Sequence, residues 1–225
     1  MEMKISFGIS TTYKEMSKLK EVVDSIHNLQ IPKDQYEILI IGDKKLDPEN
    51  NVSYIYFDES EKKGWITRKK NILGEESRFD NLVICNDYFI FQPEFYKNWV
   101  EFGEDWDVAS NAQQYITGER VFHDWCTFDH PNHPWGTMIE YDDWSHTRYQ
   151  FQAGGYVVVK KHILKQYPFN ESLVWGKEED VEWSKRIRQS CKYVCNGKSI
   201  VKHNKHHHTY PYRHHRIIKT KVEHE

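Results

Sequence analysis

Three short stretches of this chain carry residues whose types and spacing could do chemistry. The first is Asn81-Leu82-Val83-Ile84-Cys85-Asn86-Asp87-Tyr88, an apolar run that stops abruptly at Asn86 and Asp87. In an open α/β sheet, ligands collect beyond the carboxyl ends of the strands, and a carboxylate there is placed to hold a divalent cation. Taken alone, Asn86 and Asp87 equally describe a polar turn. The second stretch is Arg68-Lys69-Lys70, three consecutive cations that open a helical pattern. They could meet phosphate oxygens in the same crevice or form a solvated helix face. The third runs from Trp175 to Ser184, where Glu178, Glu179 and Asp180 complement the positive end of a helix dipole whatever else they do.

Such residues act together only if regular elements carry them to one place. Lys4 to Ile9 alternates Ile5, Phe7 and Ile9 with small or polar neighbours, as a strand does, and a hydroxyl-rich turn, Ser10-Thr11-Thr12-Tyr13, follows. From Ser17 to Gln30, Leu19, Val22, Val23, Ile26 and Leu29 recur at helical spacing, and Pro32 ends that helix. Tyr36 to Ile41 is an almost wholly apolar strand that stops at Gly42-Asp43, and Val52 to Phe57 is a third strand. Strand, helix and strand with short connections make a βαβ unit with a right-handed crossover. A charged loop, Asp58 to Lys63, leads through Gly64 to a helix over Trp65 to Glu76, and then to the strand Asn81 to Cys85.

Between Trp99 and Phe151 the periodicity is poor, and Pro131 and Pro134 break any long helix. Five Trp residues (Trp99, Trp106, Trp125, Trp135 and Trp144) fall here, too aromatic a texture for disorder. The segment is expected to be a folded excursion across the strand ends, either a pocket wall or a satellite aromatic core. Order returns with Gln152-Ala153-Gly154-Gly155, a strand over Tyr156 to Val159 and a short helix over Lys161 to Gln166. Lys192 to Cys195 and Ser199 to Lys202 read as two short strands, the second ending at His203. Beyond it, His206, His207 and His208 are either solvated or an extension of a metal site. Tyr210 to Lys221 reads as a clasp on the domain or on a second subunit, or as a peripheral contact with an anionic membrane.

Composition narrows the function classes. At 225 residues the chain holds one substantial domain or two small ones, and its 15% aromatic content offsets a hydrophobic share of only 38% in filling a core. A net charge of −3 argues against a nucleic-acid partner. Cys85, Cys126, Cys191 and Cys195 form no paired CxxC spacing, so neither a zinc ribbon nor a disulfide framework is indicated. That cysteine usage favours a reducing, cytoplasmic location. No apolar run is long enough to cross a bilayer, and the start of the chain enters a strand without a signal-peptide core.

Taken in order, these stretches resemble the family-2-type glycosyltransferases of the GT-A fold, up to about His203. Ile5 to Tyr13 is similar to that family's first strand and its Pro-Thr-Tyr-Asn turn, with Ser10-Thr11-Thr12-Tyr13 in the turn's place. Ile38 to Lys44 resembles the second strand, which ends in an acidic residue that contacts the nucleotide base, here Asp43. Gly64 to Asn71 resembles the segment in which a Gly precedes an Ala-Arg-Asn triplet, with Lys69, Lys70 and Asn71 in the triplet's place and one extra residue of spacing. Cys85-Asn86-Asp87 occupies the window of the Asp-x-Asp metal motif and keeps only its last acid. Trp175-Gly176 with Glu179-Asp180-Val181-Glu182-Trp183-Ser184 resembles the Glu-Asp motif that supplies a catalytic base, and His203 falls where many such enzymes carry a metal-binding His.

The resemblance implies an α/β fold, a single GT-A (Rossmann-like) domain over residues 1–203 with a central, mostly parallel sheet flanked by helices. Residues 1–98 form a nucleotide-sugar-binding half, 99–203 an acceptor-side half, and 204–225 a basic tail. It further implies transfer of a sugar, with inversion, from a nucleotide-diphospho-sugar to a hydroxyl of a glycan or other acceptor. Mn²⁺ or Mg²⁺ would sit on Asp87 and His203, and Asp180 would serve as general base with Glu179 as alternative or partner. Thr11, Tyr13, Asp43, Gly64, Arg68, Lys70, Asn71 and Asn86 would line the nucleotide-sugar site. Two rivals remain: a nucleotidyltransferase making sugar nucleotides, which usually has a Gly-rich loop after its first strand, and a non-catalytic carbohydrate-binding module with a degenerate metal motif.

Overall fold

The computed structural model of the chain describes residues 2–132, 136–204 and 217–218. Its first half follows the periodicity closely. Strand β1 (Ile5–Ser10) is buried along its whole length, and helix α1 (Met16–His27) buries Leu19, Val22 and Ile26 at helical spacing. Strands β2 (Tyr36–Gly42) and β3 (Val52–Tyr56), helix α2 (Ile66–Glu76) and strand β4 (Asn81–Asn86) come next. β3, β2, β1 and β4 lie side by side and parallel, in that order. Register matters most here. Ser10 pairs with Ile41 on one side and with Asn86 on the other, so three neighbouring strands reach their carboxyl ends at nearly one level. Thr11, Asp43 and Asp87 all lie just past that level.

The second half completes the same sheet. Strand β5 (Phe89–Phe91) and helix α3 (Phe95–Phe102) precede strand β6 (Val108–Tyr115). Short strands β7 (Cys126–Thr127), β8 (Thr137–Ile139) and β9 (Gln150–Phe151) lead to β10 (Tyr156–Lys160), helices α4 (Lys161–Gln166) and α5 (Glu179–Ile187), and strand β11 (Tyr193–His203). The large sheet has eight strands in the order β3-β2-β1-β4-β10-β6-β11-β5, with β10 and β5 antiparallel to their neighbours and β6 parallel to β11. β12 (Ile217–Ile218) runs parallel to β8 at one edge of a small second sheet. Of the expected clasp only this strand lies among the described residues; His206 to His208 and the rest of the tail lie outside them.

Strand alternation sorts the core into two layers. Phe7, Ile9, Ile38, Ile40, Val83 and Val158 face α1 and α3, whereas Leu39, Ile41, Leu82, Ile84, Val157 and Val159 face α2, α4 and α5. Trp99 and Trp106 sit in the first layer and Trp125 in the second. For these three aromatics the core reading holds; Trp144 is exposed.

Two expectations need correction. The segment from Trp99 to Phe151 is not wholly an irregular excursion, because Trp99 lies within α3 and Val108–Tyr115 is an eight-residue strand inside the sheet. Its polar side chains hid it. Ser110 donates to the carbonyl of Asp124 at 2.6 Å, Asn111 accepts from the Tyr156 hydroxyl at 2.7 Å, and Gln113 Oε1 meets His203 Nε2 at 2.9 Å. Hydrogen bonds of this kind let a strand bury polar groups that hydropathy assigns to the surface. The two short strands near the end are likewise one strand, β11, interrupted by a register shift between Asn196 and Ile200.

The turn after β6 is tied down by one buried carboxylate. Asp124 accepts from Arg120 Nε at 2.9 Å, from the Tyr141 hydroxyl at 2.6 Å and from the Trp125 backbone N–H at 2.6 Å. Removing one partner of a buried ion pair strands the other charge. Asp124→Ala should therefore lower unfolding free energy by about 3–5 kcal/mol, read from the urea midpoint.

Candidate functional site

A cleft of about 590 Å³ opens beyond the carboxyl ends of β1, β2 and β4. Thr11, Asp43, Gly64, Asn86 and Asp87 all line it, together with Lys69, Tyr88 and Trp175. The Asp87 carboxylate is held from one side: Thr11 Oγ1 donates to its Oδ2 at 2.6 Å. Thr11 is itself fixed, its N–H bonded to the Ile41 carbonyl at 3.0 Å and its Oγ1 accepting from the Tyr13 N–H at 2.9 Å. This local turn gives Tyr13 a φ of 52° and folds its ring beneath Gly42, where a Cβ would stand 2.5 Å from the ring. Glycine is the residue that permits so close an approach.

Tyr13 is therefore under the cleft rather than in its wall. Burial, with Tyr54 and Asp43 nearby, pushes its hydroxyl up to about pKa 12. Cys85, the first residue of the Cys85-Asn86-Asp87 window, is buried and its thiol is raised by burial, so Asp87 is the acid that this window presents.

The basic triplet divides by helical phase. Trp65, Ile66 and Lys69 line the cleft, with Lys69 Nζ donating to the Thr11 carbonyl at 3.1 Å and paired with Glu59. Arg68 points elsewhere, to Glu75 at 3.0 Å and Glu171 at 3.1 Å. Asn71 grips the backbone of Phe169 from both sides, donating to its carbonyl at 3.0 Å and accepting from its N–H at 2.8 Å. Lys70 is buried with Nζ 4.6 Å from the Phe169 ring centre. Lys69, not Arg68 or Lys70, is the cation of the triplet that lines the cleft. Residues three and four apart share a helix face, so Trp65 and Ile66 were the signal that could have singled it out.

The acidic helix meets the cleft through Gly154-Gly155. The Gly154 N–H donates to Asp180 Oδ2 at 2.9 Å, and the Gly155 carbonyl accepts from the Asn86 N–H at 3.1 Å. A Cβ at Gly155 would lie 2.9 Å from the Tyr88 hydroxyl, and one at Gly154 would lie 3.0 Å from Asp180 Cβ. Bare backbone thus lets the end of β4 and the start of α5 approach from opposite sides. Glu179 is buried, and that burial raises its carboxyl pKa, with Lys70 opposing the shift and Asp180 adding to it. The loop before α5 is anchored as well, since the Trp175 N–H donates to the Gly64 carbonyl at 2.8 Å and leaves the indole 75% exposed at the rim.

His203 lies behind Tyr88. Its Nε2 meets Gln113 Oε1 at 2.9 Å, and its ring centre is 5.8 Å from that of Tyr88 and 4.4 Å from that of Phe89. Among the described residues, no three His, Cys, Asp or Glu side chains gather around one point as a ready-made metal cage. Asp87 with a single hydroxyl partner nevertheless fits an ion carried largely by a phosphate ligand, which takes one or two protein carboxylates.

This architecture recurs in solved proteins. Staphylococcus aureus TarS superposes with a TM-score of 0.65 at 14% identity, over 90% of this chain and 37% of that one. GalNAc-T7 with UDP, GalNAc and Mn²⁺ gives 0.65 at 16% identity, over 90% of this chain and 44% of that one. The chain has the GT-A fold. A third GT-A neighbour, the mannosyltransferase PcManGT from Pyrobaculum calidifontis in complex with GDP-Man and Mn²⁺, gives 0.60 at 13% identity, over 93% of this chain and 59% of that one. The chain spans less than two thirds of the length of each of these neighbours. No protein-family profile and no curated protein matches the sequence.

In this GT-A domain, Asp87, Asp180 and His203 reach the strand-end side from β4, α5 and β11, with Gly154-Gly155 and Tyr88 between them. Tyr88 and Trp175 are the aromatic walls of the cleft, a role that neither residue's motif assigns to it. Glu179 yields a test of the site's electrostatics. A carboxyl whose folded pKa is raised adds stability below its unfolded pKa and loses it as pH rises through the folded value. Glu179→Gln should raise the melting temperature at pH 7 relative to the parent chain, and scanning calorimetry at pH 4 should find that difference closed.

Proposed function

We propose that this chain transfers a sugar, with inversion, from a nucleoside-diphosphate-sugar to the hydroxyl of a glycan or similar acceptor. The observation that carries the reading is the cleft itself: Asp87, Thr11, Asp43 and Lys69 share one strand-end crevice, and Asp180 stands across Gly154-Gly155 from it. Glycosyltransferase neighbours of the same fold, captured with UDP and GDP-Man, support the choice of ligand.

Asp43, at the end of β2, accepts hydrogen bonds from the base or ribose, with Thr11 beside it and Tyr13 beneath. Asn86 and Gly64 border the path of the diphosphate. Lys69 exchanges its Glu59 partner for diphosphate oxygens, a charge-assisted contact stronger than one between neutral groups. Arg68 and Asn71 act as braces that fix α2 against residues 169–171. Asp87, with the donor phosphates, would hold a divalent cation, Mn²⁺ or Mg²⁺, and that ion would supply positive charge to offset the charge on the leaving diphosphate. For His203 to join through Nε2, it must give up its Gln113 hydrogen bond.

The chemical step is a single in-line displacement. The acceptor oxygen bonds to the anomeric carbon as the bond from that carbon to the β-phosphate oxygen breaks, and the leaving nucleoside diphosphate takes the electron pair. The proton of the attacking hydroxyl passes to the Asp180 carboxylate, which the Gly154 and Val181 N–H groups hold in place at 2.9 Å each. Glu179 lies beside it and orients the acceptor.

A panel of UDP- and GDP-sugars, screened for Mn²⁺-dependent turnover and for thermal stabilisation of the full chain, tests the reading. Turnover of a sugar nucleotide is the expected result. Pyrophosphate release from a nucleoside triphosphate would instead identify a nucleotidyltransferase, and glycan binding without nucleotide-dependent chemistry a binding module. Asp180→Asn should cut turnover by about 10²–10⁴-fold while UDP affinity holds. For Asp87→Ala, calorimetry should find that Mn²⁺ no longer strengthens UDP binding.

A further inference from the structure

Lys70 is a buried cation without an ordinary partner. Lys70 is 1% exposed, and among the described residues its Nζ has no hydrogen-bond partner. It is also held firmly. Nζ lies over the face of Phe169, which stacks on Trp183 of α5 at 4.5 Å, and the adjacent Asn71 clamps the Phe169 backbone. Burial pushes its ammonium pKa down, and Glu179 and Asp180, both at the start of α5, oppose that shift. Gly154 is what lets them come together. A Cβ there would stand 3.0 Å from Lys70 Nζ and 3.1 Å from Asp180 Oδ2, so ammonium and carboxylate flank the same bare backbone atom.

We infer that Lys70 is a positioning residue for Asp180: its cation balances one charge of the adjacent carboxylates and keeps Asp180 in the site as an anionic proton acceptor. The inference rests on the reading of Asp180 as general base and deepens it. Two carboxylates in consecutive, partly desolvated positions disfavour each other's charged form, and an opposite charge within about 4–6 Å offsets this. Burial shields the ammonium from solvent and from the donor, so it acts through Asp180 rather than on the substrate. That separates its role from that of Lys69, which lines the cleft.

The test uses the full chain, the sugar nucleotide turned over fastest in the panel, and UDP with Mn²⁺ as the binding probe. Lys70→Met should keep UDP affinity within about threefold and lower kcat about 10–100-fold. It should also move the acid limb of the kcat profile up by about 1–3 pH units, because a lost neighbouring cation raises a carboxylate's pKa. Glu179→Gln removes the like charge instead, and its acid limb should move down. This second variant decides the matter if Lys70→Met does not fold. An unchanged acid limb in Lys70→Met, or in Glu179→Gln when that variant alone is tested, overturns the inference. So does a tenfold or greater loss of UDP affinity in Lys70→Met, which would make Lys70 a ligand contact. Full turnover by Asp180→Asn would instead overturn the base assignment, whatever Lys70→Met does.

Discussion

The site depends on register. β1 pairs in parallel with β2 and with β4 so that Ser10, Ile41 and Asn86 stand abreast. Nothing else needs to align Thr11, Asp43 and Asp87. They are the residues that follow where three buried strands stop together, and the 2.6 Å bond from Thr11 to Asp87 is a result of that alignment. A parallel sheet buried on both faces resists slipping, because a one-residue shift would exchange its two apolar layers. The stability of the core and the geometry of the cleft are therefore one problem.

Around that fixed edge the chain places movable or replaceable parts. The Lys69–Glu59 pair joins the helix that borders the cleft to the charged loop ahead of it. Trp175 and Gly64 join that loop's end to the segment before α5. Gly154-Gly155 lets strand and helix meet with no side chain between them. Each junction is a hydrogen bond or an ion pair, whereas the layers beneath are apolar packing. Polar junctions at a site edge can exchange partners with a ligand at modest cost, and a packed core cannot.

How much of this could be read from the residues alone follows from what each element buries. β2, β4 and β10 are nearly continuous apolar runs, β1 alternates apolar with small residues, and α1 carries a clear helical stripe, so period and composition reveal them. β6 escapes periodicity because Ser110, Asn111 and Gln113 look like surface and are in fact buried against distant partners. β11 reads as two strands because its register shifts between Asn196 and Ile200, a stretch that includes Gly197, where Tyr141 packs against the backbone. At the site, strand ends were legible and helix faces were not. Asp87, Asp43 and Thr11 line the cleft, whereas Arg68, Lys70 and Asn71 turn away from it because 100° of helical rotation separates each residue from the next.

The polarity of β6 has a further consequence. Apolar strands match their neighbours by shape alone, and several alignments of a valine-rich segment bury almost the same surface. A strand carrying Asn111 and Gln113 is more discriminating, since Tyr156 on one flank and His203 on the other must each find a particular amide. Slide the strand by one position and those groups lose their partners while new amides enter the apolar layers. β6 therefore behaves as a key cut for a single lock, and it indexes the far half of the sheet against the half that bears the cleft.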